Sequence, residues 1–292
     1  MSYTYTISMP TVSIIILTYN RKAFLLEALD SIFRQSYTDY EIILIDDGST
    51  DGTQQALEGL KDKPIRYYYT EHLGNLSQLR NLGWQYAKGT YIAFLDADDR
   101  WLPEKLAKQV SLMEADQSLG LVFTDVTEFR KQGVVRPRIY AHLEDAWDQS
   151  RQFEWTLSGR MPIYASSVLL RKALAEEVGH FEDTLILGDT HYFLRLVKRF
   201  PSTVLFAPLV NIRKHDGNIS VYQEREAYIE MLAVLVFFAK KEEIDTQMYR
   251  KYQAFYYFQL SRFWRRKGRW MAAMWAFLQG GKAKVLGVGW MA

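Results

Sequence analysis

The nine residues YIAFLDADD, Tyr91–Asp99, join an apolar run to a cluster of carboxylates. The run from Tyr91 to Leu95 consists of strand-forming apolar residues, which is typical of a parallel strand buried on both faces. Asp96, Asp98 and Asp99 follow where such a strand leaves the sheet. Ligands of open α/β sheets bind at the carboxyl ends of the strands, so the stretch predicts a functional site at this edge.

The three carboxylates of this stretch repel one another unless something positive lies between them. A hard divalent cation that carries phosphate oxygens would satisfy them, because Mg2+ and Mn2+ sites combine a few carboxylates with substrate phosphates. The alternative is a solvated acidic turn that caps the following helix. The stretch alone leaves both interpretations open.

Strand and helix patterns alternate through the first part of the chain. Buried strands are predicted at residues 12–17, 41–45, 65–69 and 91–95. Helices are predicted at 24–33, from a cap at Ser49, Thr50 or Asp51 to about residue 60, at 76–87 and at 102–113. Four such units in succession predict an α/β fold with a doubly wound, mainly parallel sheet.

The alternation loosens after Gly120. Strands are predicted at 121–123, 165–170, 204–206 and 210–213, an edge strand or loop at 134–140, an irregular stretch at 142–159, and helices at 172–178 and 189–200. From about residue 223 the pattern is helical almost to the end. We therefore predict a first domain over residues 1–222, with halves 1–115 and 116–222, and a C-terminal helical extension over 223–292.

Composition restricts the class of protein. Hydrophobic residues make up 48% and charged residues 24%, which is ordinary for a globular protein with a core. The net charge of +2 gives no general case for nucleic-acid binding. The absence of cysteine excludes disulfides and thiolate metal sites and favours the cytoplasm. No run approaches the roughly twenty apolar residues of a membrane-spanning helix, so we predict that the chain does not span a membrane.

A second acidic strand end, Asp46-Asp47, imitates a calcium-binding loop. Asp47, Ser49, Asp51, Gly52 and Glu58 fall at EF-hand positions 1, 3, 5, 6 and 12. However, a buried strand precedes the loop where an EF-hand has a helix, and no hydrophobic residue follows the glycine. A dinucleotide-binding site is also excluded, because no GxGxxG follows the first strand.

Four segments together resemble a family-2 glycosyltransferase of the GT-A fold. They occur in the family's order and cover about residues 12–220: VSIIILTYNR (12–21), LIDDGSTDGT (44–53), LRNLGWQYAKGTYIAFLDADD (79–99) and GDTHYFLRL (188–196). The resemblance implies a GT-A-like sheet and an inverting, metal-dependent transfer of a sugar from a nucleotide-diphospho-sugar to an acceptor hydroxyl.

The resemblance assigns roles to residues of the first half. Tyr19 would lie against the base, Asp47 would accept a hydrogen bond from the base's imide nitrogen, and Arg80 would meet the nucleotide or its phosphates. A UDP-sugar is the favoured donor. The implied nucleotide-sugar contacts are Thr18, Tyr19, Asn20, Arg21, Asp47, Arg80, Asp96 and Ala97.

The remaining roles concern the chemistry. Transfer releases a diphosphate and requires a proton to be taken from the acceptor. By resemblance, Asp98 and His215 would hold Mn2+ or Mg2+ as a Lewis acid, and Asp189 would be the general base. Many relatives carry Glu-Asp where this chain has Gly188-Asp189. A helix-capping role for Asp189 and a structural role for His215 remain open.

Two alternatives to a transferase are a glycoside hydrolase and a non-catalytic binding protein. A glycoside hydrolase gives no reason for an acid cluster at a strand end beside a nucleotide-like pocket. A non-catalytic protein of the same fold that binds a sugar nucleotide or a carbohydrate stays open. The implied acceptor is a glycan or a lipid-linked sugar, as in the synthesis of a cell-surface polysaccharide or glycolipid.

Aromatic and basic residues are interleaved between Arg250 and Trp270. This composition predicts amphipathic helices that suit an anionic membrane surface, so peripheral attachment to the inner face of the plasma membrane is left open. The alternative is a helical pair packed on the first domain. The RxxRW pattern at 266–270 resembles an acceptor motif of processive synthases, but the membrane helices of those enzymes are absent from the pattern.

Overall fold

The computed structural model describes residues 10–185, 188–215 and 224–285. The chain divides into two compact units, Met1–Lys214 and His215–Ala292. The predicted domain boundary between residues 222 and 223 falls outside the described residues.

The first unit is an α/β sheet. Its strands within the described ranges are β1 Val12–Thr18, β2 Tyr40–Asp46, β3 Ile65–Tyr69, β4 Tyr91–Asp96, β5 Arg100–Trp101, β6 Leu121–Arg130, β7 Gly133–Arg136, β8 Val168–Arg171 and β9 Ser202–Arg213. Its helices are α1 Lys22–Phe33, α2 Thr53–Leu57, α3 Leu76–Tyr86, α4 Lys105–Ala115, α5 Gln152–Leu157, α6 Lys172–Val178 and α7 Asp189–Arg199.

The strand order is β3-β2-β1-β4-β8-β6-β9-β5, with β7 paired to β6. Pairing is parallel from β3 through β2 and β1 to β4, and again between β6 and β9. The short strand β8 runs antiparallel to both of its neighbours. The predicted α/β fold with a mainly parallel sheet is confirmed, with β8 as a reversed strand in its middle.

The register of the parallel strands brings their carboxyl ends together. Leu17 of β1 is level with Asp96 of β4, and Thr18 is level with Asp46 of β2. Helix α3 approaches this part of the sheet closely, because a Cβ on Gly83 would lie 2.6 Å from Cγ2 of Ile15. The glycine therefore permits the close packing that holds α3 against the strands that end at the site.

The second half of the sheet differs from the predicted elements. Strand β6 has 10 residues instead of three, and β9 is one strand of 12 residues instead of two short ones. The two pair with each other over most of their length, with register shifts on either side of Asp125, which lies opposite Pro208. The irregularity accommodates the proline, which has no N–H to donate to a regular ladder.

Three further local predictions were wrong. Residues 165–167 form a 3-10 turn before β8, and α5 lies within the stretch predicted to be irregular. Helix α4 begins at Lys105 instead of Leu102, because the N–H of Leu102 donates to the carbonyl of Leu209 at 2.9 Å. That bond continues the β5–β9 pairing past Trp101.

The second unit is helical, as predicted for the C-terminal extension. Its helices are α8 Glu224–Lys240, α9 Thr246–Arg266 and α10 Trp270–Val285. The side chain of Asp245 caps α9 by accepting from the N–H of Met248 at 2.7 Å. None of the helices in the described ranges combines the length and apolar character that a membrane span requires.

Candidate active site

The acid cluster at the end of β4 is a closed turn. The N–H of Asp99 donates to the carbonyl of Asp96 at 2.9 Å. The Asp99 carboxylate accepts from Ser166 Oγ at 2.6 Å and from the N–H of Arg213 at 2.9 Å, and Asp99 is only 3% exposed. Asp99 therefore fixes the turn to the segment before β8 and to the end of β9, and leaves Asp96 and Asp98 as the candidate ligand-binding acids.

Asp98 forms an ion pair with Arg21. Their closest atoms, Nη1 of Arg21 and Oδ2 of Asp98, are 2.8 Å apart, and the Asp98 side chain is 13% exposed. Nε of Arg213 donates to the backbone carbonyl of Asp98 at 2.9 Å. The turn after β1 thus supplies positive charge to the predicted metal ligand.

Arg80 connects the end of β4 with the start of α7. Its Nη2 lies 3.8 Å from a carboxylate oxygen of Asp96 and 3.8 Å from one of Asp189. The guanidinium also lies over the ring of Phe181, and only 3% of the arginine side chain is exposed. Within the described part of the chain, Nη1 of Arg80 has no hydrogen-bond partner. A buried arginine with unused donors beside two acids fits an anionic ligand such as a diphosphate.

Asp96 lies where burial and the neighbouring carboxylates disfavour its charged form. The pKa of Asp96 is raised to about 6, first by burial and then by the carboxylates of Asp98 and Asp189. The charges of Arg80 and Arg21 oppose this shift without cancelling it. The Asp96 side chain is nevertheless 47% exposed, so this crowded strand end is open to a ligand. Additional positive charge would stabilise the cluster.

Asp189 is the first residue of α7, and Gly188 occupies the capping position. Burial raises the pKa of the Asp189 carboxyl, and the charge of Arg80 opposes this shift. A Cβ on Gly188 would lie 2.2 Å from Ser77 Oγ, so glutamate at this position would require Ser77 to move. The predicted role of Asp189 as a base stays a prediction.

The predicted base-binding residues surround a histidine that the sequence analysis missed. The Asp47 carboxylate accepts from the N–H groups of Leu73 and Gly74, at 2.7 and 3.0 Å, and lies 2.8 Å from Nδ1 of His72. The half-exposed ring of Tyr19 stacks on that of His72. His72 lies in the loop after β3, next to the carboxyl ends of two other parallel strands. That position at the edge of the sheet is the signal by which the sequence could have indicated it.

The other predicted nucleotide contacts lie at the ends of β1 and β4 and in the turn after β1. Asn20, with a φ of 50°, donates its N–H to Ser49 Oγ at 2.9 Å and accepts from the N–H of Thr50 at 2.8 Å. Thr18 is buried at the end of β1, and Ala97 is buried inside the acid turn. The two hydrogen bonds of Asn20 join the turn after β1 to the turn after β2, beside the strand ends.

The two predicted metal ligands, Asp98 and His215, belong to different compact units. Across the residues described, no group of three or more His, Asp or Glu side chains is arranged to hold a metal ion. His215 is the first residue of the second unit, so its role as a ligand stays a prediction. The oxygens of Asp96 and Asp98 suit a hard cation that keeps water and phosphate oxygens as its other ligands. Ser166 and Arg213 also escaped the sequence analysis, and no motif marks either of them.

Comparison with known sequences identifies a matching family and several similar proteins. Residues 13–177 match the family described as glycosyl transferase family 2. A putative teichuronic acid biosynthesis glycosyltransferase, TuaG of Bacillus subtilis, is 35% identical over 126 residues, which are 42% of this chain and 50% of that protein. The Escherichia coli UDP-Glc:alpha-D-GlcNAc-diphosphoundecaprenol beta-1,3-glucosyltransferase WfaP is 38% identical over 109 residues, 37% of this chain and 43% of that protein. The chain thus spans half or less of the length of either relative.

Solved structures share the fold over almost the whole chain. S. aureus TarS 1-349 in complex with UDP-GlcNAc has a TM-score of 0.69 at 18% identity, over 94% of this chain and 83% of TarS. A mannosyltransferase of Pyrobaculum calidifontis, in complex with GDP-Man and Mn2+, has a TM-score of 0.62 at 18% identity, over 96% of this chain and 75% of that chain. At these identities the likeness establishes the fold alone.

Proposed function

Because the chain belongs to glycosyl transferase family 2, we propose that it is an inverting, metal-dependent transferase acting on a nucleotide-diphospho-sugar. The observation that carries the proposal is the position of Arg80. Its Nη2 lies 3.8 Å from both Asp96 and Asp189, while its Nη1 has no partner among the described residues. One buried cation therefore stands between the candidate donor-binding acid and the candidate base.

In this proposal the chain's own residues perform two tasks. Arg80 donates to the diphosphate and offsets the charge that it gains as the sugar departs. Asp189, when ionised, accepts the proton of the acceptor hydroxyl, and its neighbour Arg80 favours the ionised form. A Mn2+ or Mg2+ ion held by Asp96 and Asp98 would supply Lewis-acid stabilisation of the same diphosphate. The proposed inversion and the assignment of the base rest on the resemblance to the family.

The favoured donor is a UDP-sugar. TarS is solved with UDP-GlcNAc, and the name of WfaP specifies UDP-Glc, which supports a uridine nucleotide for this chain. The ring of Tyr19 and the carboxylate of Asp47 are the groups that would contact the base.

The proposed acceptor is a glycan or a lipid-linked sugar of a cell-surface polysaccharide. The names of TuaG and WfaP, which refer to teichuronic acid and to a diphosphoundecaprenol sugar, support this class. A lipid-linked acceptor would place the enzyme at the inner face of the plasma membrane.

Calorimetry with UDP, GDP, CDP and ADP, each with and without Mn2+, tests the donor class. We expect UDP to bind most tightly, and Arg80→Gln to weaken its binding by about tenfold or more, since a charged hydrogen bond is lost. Arg130→Gln, at an exposed position, is the matched control.

Equal binding of the four nucleotides would overturn the UDP assignment. Nucleotide binding without sugar transfer to lipid-linked or glycan acceptors would favour a non-catalytic binding protein.

A further inference from the structure

Charge is distributed unequally along the chain. Of 36 Lys and Arg and 34 Asp and Glu, nine basic residues and no acidic residue lie after Asp245. Residues 1–245 therefore hold 27 basic and 34 acidic residues, a net charge of −7, whereas residues 246–292 carry +9. The overall charge of +2 conceals a strongly basic C-terminal segment attached to an acidic protein.

Helix α10 exposes a continuous apolar surface. Six of its side chains are between 54% and 84% exposed, and we call them the apolar face of α10: Trp270, Met271, Met274, Trp275, Phe277 and Leu278. At about 100° per residue they cover an arc of about 160°. The opposite side packs on α9 through small residues, Ala273, Ala276 and Gly280. Two rings of the apolar face, those of Trp275 and Phe277, also contact Tyr257 and Phe258 of α9 while remaining about half exposed.

The apolar residues of α9 do not form such a surface. Leu260 is buried, and Phe258 packs on Phe277 of α10. These side chains of the segment from Arg250 to Trp270 therefore hold the helices together. Trp270 is the exception, since it is 67% exposed and begins the apolar face of α10. The exposed surface thus lies beyond the segment that the sequence pattern indicated.

Exposed basic residues border the apolar face at its N-terminal end. They occupy the last turns of α9 and the connection to α10, namely Arg262, Arg265, Arg266, Lys267 and Arg269. Arg266 is paired with Glu224 and is partly neutralised. An apolar arc that begins beside a cluster of cations is the arrangement of a helix that lies in a lipid headgroup layer.

We propose that the apolar face of α10, together with these basic residues, binds the surface of an anionic lipid bilayer. The aromatic and methionine side chains enter the boundary between headgroups and acyl chains, and the cations contact lipid phosphates. Anionic lipid is the occupant that the charge favours, because self-association through this face would bring two segments of +9 together. Attachment of this kind is reversible and sensitive to salt.

This inference deepens the proposed function, since membrane attachment would hold the transferase beside a lipid-linked acceptor. The attachment itself requires neither donor nor acceptor, so it is tested separately. Nucleotide binding by calorimetry reports on the donor site alone. A protein that binds UDP but no vesicle would overturn the membrane inference and leave the proposed donor intact.

Flotation of the full chain with vesicles provides the test. Vesicles of phosphatidylcholine with 30% phosphatidylglycerol should carry the protein at low salt, whereas pure phosphatidylcholine should not. We expect Met271→Ser/Trp275→Ser to reduce binding about tenfold or more, because both side chains are exposed and apolar. Val134→Ser/Val135→Ser, at exposed apolar positions of β7, is the matched control and should bind as the wild type does.

Charge is tested in the same assay. Arg265→Gln/Lys267→Gln should weaken binding to anionic vesicles, and the exposed pair Arg130→Gln/Lys131→Gln should not. Equal flotation with neutral and anionic vesicles would overturn the proposal. So would a stable dimer in sedimentation experiments that is broken by Met271→Ser/Trp275→Ser, since the face would then bind a second copy.

Discussion

The ring of His72 lies parallel to that of Tyr19, with centroids 3.9 Å apart and planes inclined by 16°. The same imidazole places Nδ1 2.8 Å from Oδ2 of Asp47. A stack on Tyr19 and a polar contact with the Asp47 carboxylate are the two contacts that the family resemblance assigns to a nucleobase. In the proposed function, His72 therefore occupies the position assigned to the base.

Removal of this internal ring should strengthen nucleotide binding. In His72→Ala, UDP no longer competes with the imidazole, so we expect its affinity to rise about threefold to tenfold. Calorimetry measures the change, and His142→Ala, at an exposed histidine, is the control. Weaker binding by His72→Ala would show that the base stacks on His72 instead of displacing it.

The metal prediction rests on Asp98. Asparagine keeps the size of this side chain but removes its charge, so Asp98→Asn should lower the affinity for UDP in Mn2+ by about tenfold or more. EDTA should have a similar effect on the wild type. Asp145→Asn, at an exposed acid outside the cluster, should change nothing. Identical UDP affinity with Mn2+ and with EDTA would remove the metal from the proposed function.

A substitution of Asp189 tests its proposed role as the general base separately from donor binding. In Asp189→Asn, UDP affinity should stay within about twofold while kcat falls about a hundredfold or more, because a general base is lost. Since burial raises the pKa of Asp189 and the base must be ionised, kcat should fall as pH drops through a value above the ~3.9 of a free aspartate. The residual activity of Asp189→Asn should lack this acid limb. Normal turnover by the variant would leave Asp189 with a purely structural role.

The sequence predicted the half of the fold in which local pattern and topology agree. Strands β1 to β4 are apolar runs separated by amphipathic helices, and each parallel pairing follows from that alternation. The reversed direction of β8 leaves no trace in local composition. The two residues of β5 are too few to show a period, and their partner β9 lies more than a hundred residues away in the chain.

The candidate site divides in the same way. Asp96 and Asp98 were predicted because parallel strands bring their carboxyl ends to one edge of the sheet. The groups that fix the acid turn through Asp99 were not predicted. Ser166 Oγ is 67 residues from Asp99 in sequence, and the N–H of Arg213 is 114 residues from it, so only the folded sheet reveals these hydrogen bonds.

The glycine before the candidate base provides the sharpest test of local packing. A Cβ on Gly188 would lie 2.2 Å from Ser77 Oγ and 3.5 Å from Ser77 Cβ, and this hydroxyl donates to the carbonyl of Leu185 at 2.9 Å. Gly188→Ala should therefore cost about 1–3 kcal/mol of unfolding free energy by overpacking, and should lower kcat by displacing Asp189. Ser77→Ala removes the clashing oxygen, so the double variant Gly188→Ala/Ser77→Ala should be more stable than Gly188→Ala alone. Thermal and denaturant unfolding of the single and double variants measure this coupling. Gly59→Ala, where no atom lies within 4 Å of the new Cβ, is the control. The close approach of Ser77 would not account for glycine at position 188 if Gly188→Ala were as stable and active as the wild type. The same would follow if Ser77→Ala did not restore the stability lost in Gly188→Ala.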